Sequence, residues 1–154
     1  MNTSDEHVWA IVGRSSCFQV KRNGKTRRSG AVTMSSHPLN LMNVSSFKYS
    51  GLANSKAVGV TEAKDAEGHG CAMLSLKSSK KGKTPAKSVG RSLLKKNHKA
   101  GAAAIRAQTA GSFYREDLTS AALARWSRVN RAVRTKKGVL PPMPIKEGRG
   151  SQSS

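Results

Sequence analysis

The side chains in this sequence best able to do chemistry are cations, and they come in groups. Lys21, Arg22, Lys25, Arg27 and Arg28 surround Asn23-Gly24, and Lys77, Lys80, Lys81, Lys83 and Lys87 share one short stretch. Arg91, Lys95, Lys96 and Lys99 follow. Arg125, Arg128, Arg131 and Arg134 then recur every three residues ahead of Lys136 and Lys137. Phosphate contacts require cations displayed along a surface and tolerate loose geometry. One such run is an ordinary solvated face, but four with hardly an acid between them point to a polyanion. Lys48-Tyr49 and Tyr114-Arg115 place an aromatic ring beside a cation, a pairing suited to an unpaired base and its phosphate. Phe47, Trp9 and Trp126 are assigned to packing. No pattern reads base edges, so recognition through shape and backbone is the expectation.

Catalytic constellations do not assemble. Gly24-Lys25-Thr26 and Gly82-Lys83-Thr84 resemble the end of a phosphate-binding loop. That motif needs a glycine five residues earlier, where Gln19 and Lys77 stand. His7, His37, His69 and His98 are scattered, and His69-Gly70-Cys71 offers two ligands where a closed zinc site needs four. Cys17 lies in a strand-like pattern, where it behaves as a small hydrophobe. Asp65/Glu67 and Glu116/Asp117 occupy turn or helix-start positions, where acids have a structural reason to be. No catalytic residue, metal or cofactor is expected.

The composition agrees with a polyanion partner. The chain of 154 residues has 28 Lys or Arg and 8 Asp or Glu, a net charge of +20 whose self-repulsion opposes compaction. Val, Leu, Ile and Phe supply 27 residues, below about one-fifth of the chain, and 18 others of the apolar set are Ala. One modest domain with long polar segments that order against a partner is the expectation. No run approaches the roughly 18–20 apolar residues of a membrane span. The polar start with Asp5 and Glu6 resembles neither a secretory signal nor a transit peptide. Two cysteines, Cys17 and Cys71, make no disulfide framework, so a reducing compartment is expected and the Asn2 and Asn43 sequons are chance matches.

The elements that must carry these cations read as α+β. Residues 1–76 hold 9 basic and 5 acidic side chains, whereas residues 77–154 hold 19 and 3. Ser4 before Asp5-Glu6 suits a helix N-cap, with Trp9 packing the short segment that follows. Strands are expected at 16–21, 47–49, 58–60 and 71–76, with Asn23-Gly24 as a hairpin turn into 25–28 and a loop over 29–46. Ala72, Leu74 and Leu76 share one face of the last strand. Together these make a small, mostly antiparallel sheet unit over 1–76. Residues 77–88 read as a basic linker, 89–137 as a basic helical region, and 138–154 as an extended Pro/Gly/Ser tail. Short helices are expected over 89–96 and 99–110. The strongest helix spans about 116–134, where Leu118, Ala122, Trp126, Val129 and Val133 form an apolar stripe opposite the arginines.

Several segments, in order, resemble one family. Val8-Trp9-Ala10-Ile11-Val12 is followed by Cys17-Phe18-Gln19-Val20-Lys21-Arg22-Asn23, an aromatic strand ending in Lys-Arg-Asn. Ser46-Phe47-Lys48-Tyr49-Ser50-Gly51-Leu52, Lys56-Ala57-Val58-Gly59-Val60 and Tyr114-Arg115-Glu116-Asp117-Leu118 with Ala121-Ala122 complete the series. Over residues 8–137 the chain resembles the eukaryotic large-subunit ribosomal proteins numbered twenty-eight in the eukaryote-specific series. The resemblance implies a structural constituent of the ribosome, with no cofactor and no catalysis. Its implied partners are large-subunit ribosomal RNA and neighbouring ribosomal proteins, with no membrane and no homo-oligomer. It also implies cytoplasmic ribosomes reached through the nucleolus. The N-terminal unit is similar to one in a nucleolar assembly factor, but the resemblance here continues into the C-terminal helices. Family members often carry Pro where Glu116 stands and tend to end in a strongly basic tail. Here the tail has only Lys146 and Arg149 against Glu147, which directs it to a protein neighbour. A chromatin-type DNA architectural protein is the alternative; it is supported by the Lys/Ala/Pro linker but lacks a repeated Lys-Pro-Ala tail.

Overall fold

The computed structural model describes residues 3–21, 32–81, 84, 87–95 and 97–144, with Lys21 and Lys81 described for their backbone. The architecture is α+β: three helices with two small antiparallel sheets. Helix α1 (Asp5–Val12) starts as its sequence dictates. The Ser4 hydroxyl accepts the His7 amide, and Asp5 and Glu6 sit at the positive end of the helix dipole. Trp9 packs on Phe47, with ring centroids 6.1 Å apart.

Strand β1 (Gln19–Lys21) pairs with β2 (Thr33–Ser35), Gln19 opposite Ser35. The expected partner at 25–28 and the Asn23-Gly24 turn lie outside the described residues. The observed partner falls inside the stretch read as a loop. Its three residues, Thr33-Met34-Ser35, are too short and polar to show an alternation. Phe47–Tyr49, read as a strand, is instead a turn, closed by the Ser50 amide on the Phe47 carbonyl and by the Asn54 carboxamide on the same oxygen at 2.6 Å.

The principal sheet runs β3 (Val58–Lys64), β4 (Gly70–Lys77) and β5 (Val89–Leu94), each pair antiparallel. Val60 faces Leu74 across the first pair, and Leu74 faces Ser92 across the second. The β3–β4 turn closes through the Asp65 amide on the His69 carbonyl, with Gly68 at φ +78°, a conformation that favours glycine. Strand β5 corrects the helix expected over 89–96. Val89, Leu93 and Leu94 fit either period, and the exposed edge of β4 decided the matter by offering backbone groups that β5 satisfies.

Helix α2 (His98–Thr109) is capped by Asn97, whose side chain accepts the Ala100 amide at 2.9 Å. A 3-10 turn, Glu116–Leu118, leads into α3 (Thr119–Lys136), which lies across β3 and β4. Every second residue of the two strands meets it: Val58, Val60, Ala72 and Leu74 join Leu41, Ile105, Leu118, Ala122 and Trp126 in one core. The core therefore draws residues from both sides of residue 77. Gly101 is the position on α2 that brings the helices together, since a Cβ there would sit 2.3 Å from the Trp126 ring. The Trp126 indole N–H closes the contact on the His98 carbonyl.

Candidate nucleic-acid interface

The cations of the described structure fall into two kinds according to what they touch. The first kind is spent inside the fold. Lys77 ends β4 on the side away from α3, and its ammonium donates to the carbonyls of Gly51, Leu52 and Asn54 at 2.9, 3.1 and 2.7 Å. Burial pushes it below the usual lysine range. Arg115, at φ +51°, donates to the carbonyls of Lys56 and Lys48 and forms a two-pronged pair with Asp117 at 2.9 and 3.0 Å. Those hydrogen bonds hold the Asp117 carboxyl below the ordinary carboxylate range. Lys95 pairs with Asp65 at 2.6 Å and Lys136 with Glu62 at 2.7 Å. Arg125 sits at the border of the buried stripe, half-buried, with its Nε directed to the Val60 carbonyl at 3.4 Å.

The second kind faces solvent. Lys48, Lys80, Lys87, Arg91, Lys99, Arg128, Arg131, Arg134 and Lys137 are all exposed and make no ion pair among the described residues. Along α3, Arg131 points directly away from the core with Arg128 and Arg134 on either side of it, as a rise of three residues and about 100° per residue requires. Arg14, Lys56, Lys64 and Arg106 belong to the same exposed set. Each stands alone in the sequence, outside the basic runs, although Lys56 opens the stretch Lys56-Ala57-Val58-Gly59-Val60 quoted for the resemblance. Arg22, Lys25, Arg27, Arg28, Lys83 and Lys96 lie outside the described residues, as do the side chains of Lys21 and Lys81.

The acids explain why the surface stays positive. Asp65, Glu62 and Asp117 are taken by the pairs above, Asp5 by the Ser55 amide and hydroxyl, and Glu67 lies 3.4 Å from His69. Glu6 and Glu116 remain exposed without a partner among the described residues, too few to offset the second set of cations.

The aromatic pairings separate in the same way. Tyr49 packs partly buried against the core, with Lys48 5.8 Å above its ring. Tyr114, expected at a wet surface, is a structural residue. Its hydroxyl accepts the Ala57 amide at 3.1 Å and donates toward the carbonyls of Lys77 and Ala57, and burial raises its pKa. Phe113 takes the exposed position instead, 85% accessible at φ +52°. Among the described residues no three His, Cys, Asp or Glu side chains gather as a metal would require, and no helix is long and apolar enough to cross a membrane.

A row of arginines without acid partners among the described residues thus stands on the helix that holds the core, a display whose chemistry suits a polyanion. In the comparison with known proteins, residues 7–132 match the Ribosomal L28e protein family. The chain belongs to that family. Among similar proteins, the Large ribosomal subunit protein eL28 of Dictyostelium discoideum is 31% identical over 87% of this chain and 92% of its own length. The protein of the same name from Schizosaccharomyces pombe is 27% identical over 90% of this chain and 99% of its own length. As a member of the L28e family the chain is a ribosomal protein with a structural role, not an enzyme. The matched span takes in most of α1, both sheets, α2 and most of α3, and with them the cations named above except Arg134, Lys136 and Lys137, which lie beyond it.

Proposed function

We propose that this L28e protein is a structural constituent of the large ribosomal subunit that binds ribosomal RNA by neutralising phosphates across several helices at once. The names of its relatives supply the subunit. The observation that carries the RNA reading is the separation of the cations. Asp5, Glu62, Asp65 and Asp117 are engaged by groups of the protein itself. The Arg128/Arg131/Arg134 row and the lysines around the β4–β5 connection face solvent without an acid partner among the described residues. The proposed phosphate contacts are Lys48, Lys80, Lys87, Arg91, Lys99, Arg128, Arg131, Arg134 and Lys137, joined by the run around residues 21–28. Lys77 and Arg115 hold the fold beneath them. The chain acts as a single copy among neighbouring ribosomal proteins. It passes through the nucleolus during assembly and works on cytoplasmic ribosomes.

Counterion release makes this measurable. Each phosphate contact contributes about −0.9 to the slope of log affinity against log salt for a duplex. Replacing Arg128 and Arg131 together by Ala should weaken binding to large-subunit ribosomal RNA fragments and flatten that slope by about one to two units. A slope identical to that of the unmodified chain would remove both residues from the interface.

A further inference from the structure

A cavity of about 480 Å³ opens beside the C-terminal half of α3, bounded by that helix, the β3–β4 turn and the junction of β5 with α2. Packed interiors leave few voids larger than a water molecule, and this volume lies within the roughly 300–1,000 Å³ typical of small-ligand sites. Its floor is apolar, formed by Cys71, Ala72, Trp126 and Val133, all buried. The exposed His98 ring stacks on the nearly buried Trp126 indole, with centroids 5.9 Å apart, and is the aromatic ring that the cavity offers to solvent.

Two features of the walls say what the cavity is for. The Asn130 carboxamide is half-buried at its edge and makes no hydrogen bond within the protein among the described residues, so a donor and an acceptor stand side by side open to a ligand. At the mouth stand Arg134 and Lys137, both exposed and without an acid partner among the described residues. Each step of three residues along α3 turns about 60° around its axis. The row Arg128, Arg131, Arg134, Lys137 therefore winds from the outer face of the helix to the cavity mouth. A phosphate backbone following that row arrives at a cavity with an apolar floor and polar walls. There Lys95 and Asp65 pair with each other, Asn97 caps α2, and the Asn130 carboxamide has no protein partner among the described residues. An unstacked nucleotide has the matching chemistry: apolar ring faces, a hydrogen-bonding edge and an adjoining phosphate.

We propose that this cavity receives one unpaired nucleotide of RNA, its base against the His98 ring that stacks on Trp126, its edge against Asn130 and its phosphate at Arg134 and Lys137. The inference rests on the RNA-binding reading above and adds to it the place where a base leaves the duplex. The continuous arginine row favours a nucleic-acid backbone over an acidic peptide, which meets only the mouth.

The test uses the full chain and two RNA hairpins that differ by a single bulged adenosine, with affinities read by fluorescence anisotropy over a salt series. The bulged hairpin should bind about tenfold more tightly, in keeping with the worth of one stacked base. Asn130→Phe fills the cavity without changing charge. It should erase that preference while leaving the affinity and salt slope for the paired hairpin unchanged. Gly70→Leu does the same from the strand side, where a Cβ would meet only the Val133 methyl at 3.6 Å, and serves if Asn130→Phe fails to fold. Asn130→Ala should reduce the preference a few-fold. Equal affinity of the unmodified chain for the two hairpins overturns the proposal. So does a bulge preference that survives both filling variants, or a peptide segment seated in the cavity of the assembled subunit. Failure to bind either hairpin is a different result, because it removes the RNA-binding reading itself.

Discussion

In the body formed by β3–β5, α2 and α3, cohesion comes from apolar area: Val58, Val60, Leu74, Ile105, Ala122 and Trp126 are all essentially removed from solvent. The loop over residues 37–57 is held differently. It buries Asn40, Ser50 and Asn54 alongside Leu39 and Leu41, and the body reaches into it with three polar groups. These are the Lys77 ammonium on the carbonyls of Gly51, Leu52 and Asn54, the Tyr114 hydroxyl on Ala57, and the Arg115 guanidinium on Lys48 and Lys56. A chain with few large hydrophobes builds one apolar core and fastens the remainder to it with hydrogen bonds. The helix that carries the arginine row also supplies Ala122 and Trp126 to that core, so the row is mounted on the apolar body and not on the polar fastenings.

The largest effect expected from this contrast is on the apolar side. Trp126 is 2% exposed, fills the space left by Gly101 and donates its indole N–H to the His98 carbonyl. Trp126→Ala should cost about 3–5 kcal/mol, a large share of the stability of a small domain. A urea titration should show the cooperative transition shifted far down or lost. A loss below about 1 kcal/mol would mean that the polar fastenings, not the core, carry the body.

The polar side should give a smaller and local effect. Lys77→Met keeps much of the apolar stem but leaves three inward carbonyls without their donor. The expected cost is about 1–3 kcal/mol, in the range for stranding buried polar groups. Hydrogen exchange should quicken at the Ala53 and Asn54 amides, which bond within the loop, and change little across the β3–β4 ladder. If exchange rises equally in both places, the loop and the body are one cooperative unit and the contrast fails.

How far the sequence foretold this arrangement depends on how local each signal is. The α1 cap, the β3–β4 turn, the alternation of Ala72, Leu74 and Leu76 and the stripe of α3 are short-range patterns, and the structure holds all of them. β5 was missed because Val89 and Leu93 satisfy two periods, and only the β4 edge chooses between them. Lys77 illustrates the harder problem. It sits in the same run as Lys80 and looks identical on paper, yet strand parity turns it inward onto carbonyls while Lys80 stays exposed. Whether a cation meets phosphate or backbone is decided by long-range packing, which charge clustering does not encode. The cavity beside Asn130 has the same cause, since its walls come from three separated segments of chain.

The smallest effect should appear as pH dependence, and it arises where the two regions meet. The His37 Nδ1 accepts the Leu39 amide at 3.2 Å, so that nitrogen carries no proton, and the ring stands edge-on to Phe18 at 4.7 Å. Gly51 makes room for the ring, since a Cβ there would fall 2.8 Å from Nδ1. Burial lowers the His37 pKa from its ordinary 6.5, and the nearby Lys77 charge lowers it further. The folded state therefore binds this proton less readily than the unfolded chain does. Stability from His37 is complete above about pH 6.5 and declines as pH falls below that value toward the depressed folded pKa. The carboxylates held low by Lys95 and Arg115, Asp65 and Asp117, add their own loss only below their ordinary value of 3.8, so the two windows are separate. Urea midpoints should thus decrease between pH 6.5 and 5 in the unmodified chain and less steeply in His37→Gln. In Lys77→Met the decline should also be shallower, because the charge opposing protonation is gone. Identical slopes in all three would detach His37 from Lys77 and leave the loop fastened by carbonyl contacts alone.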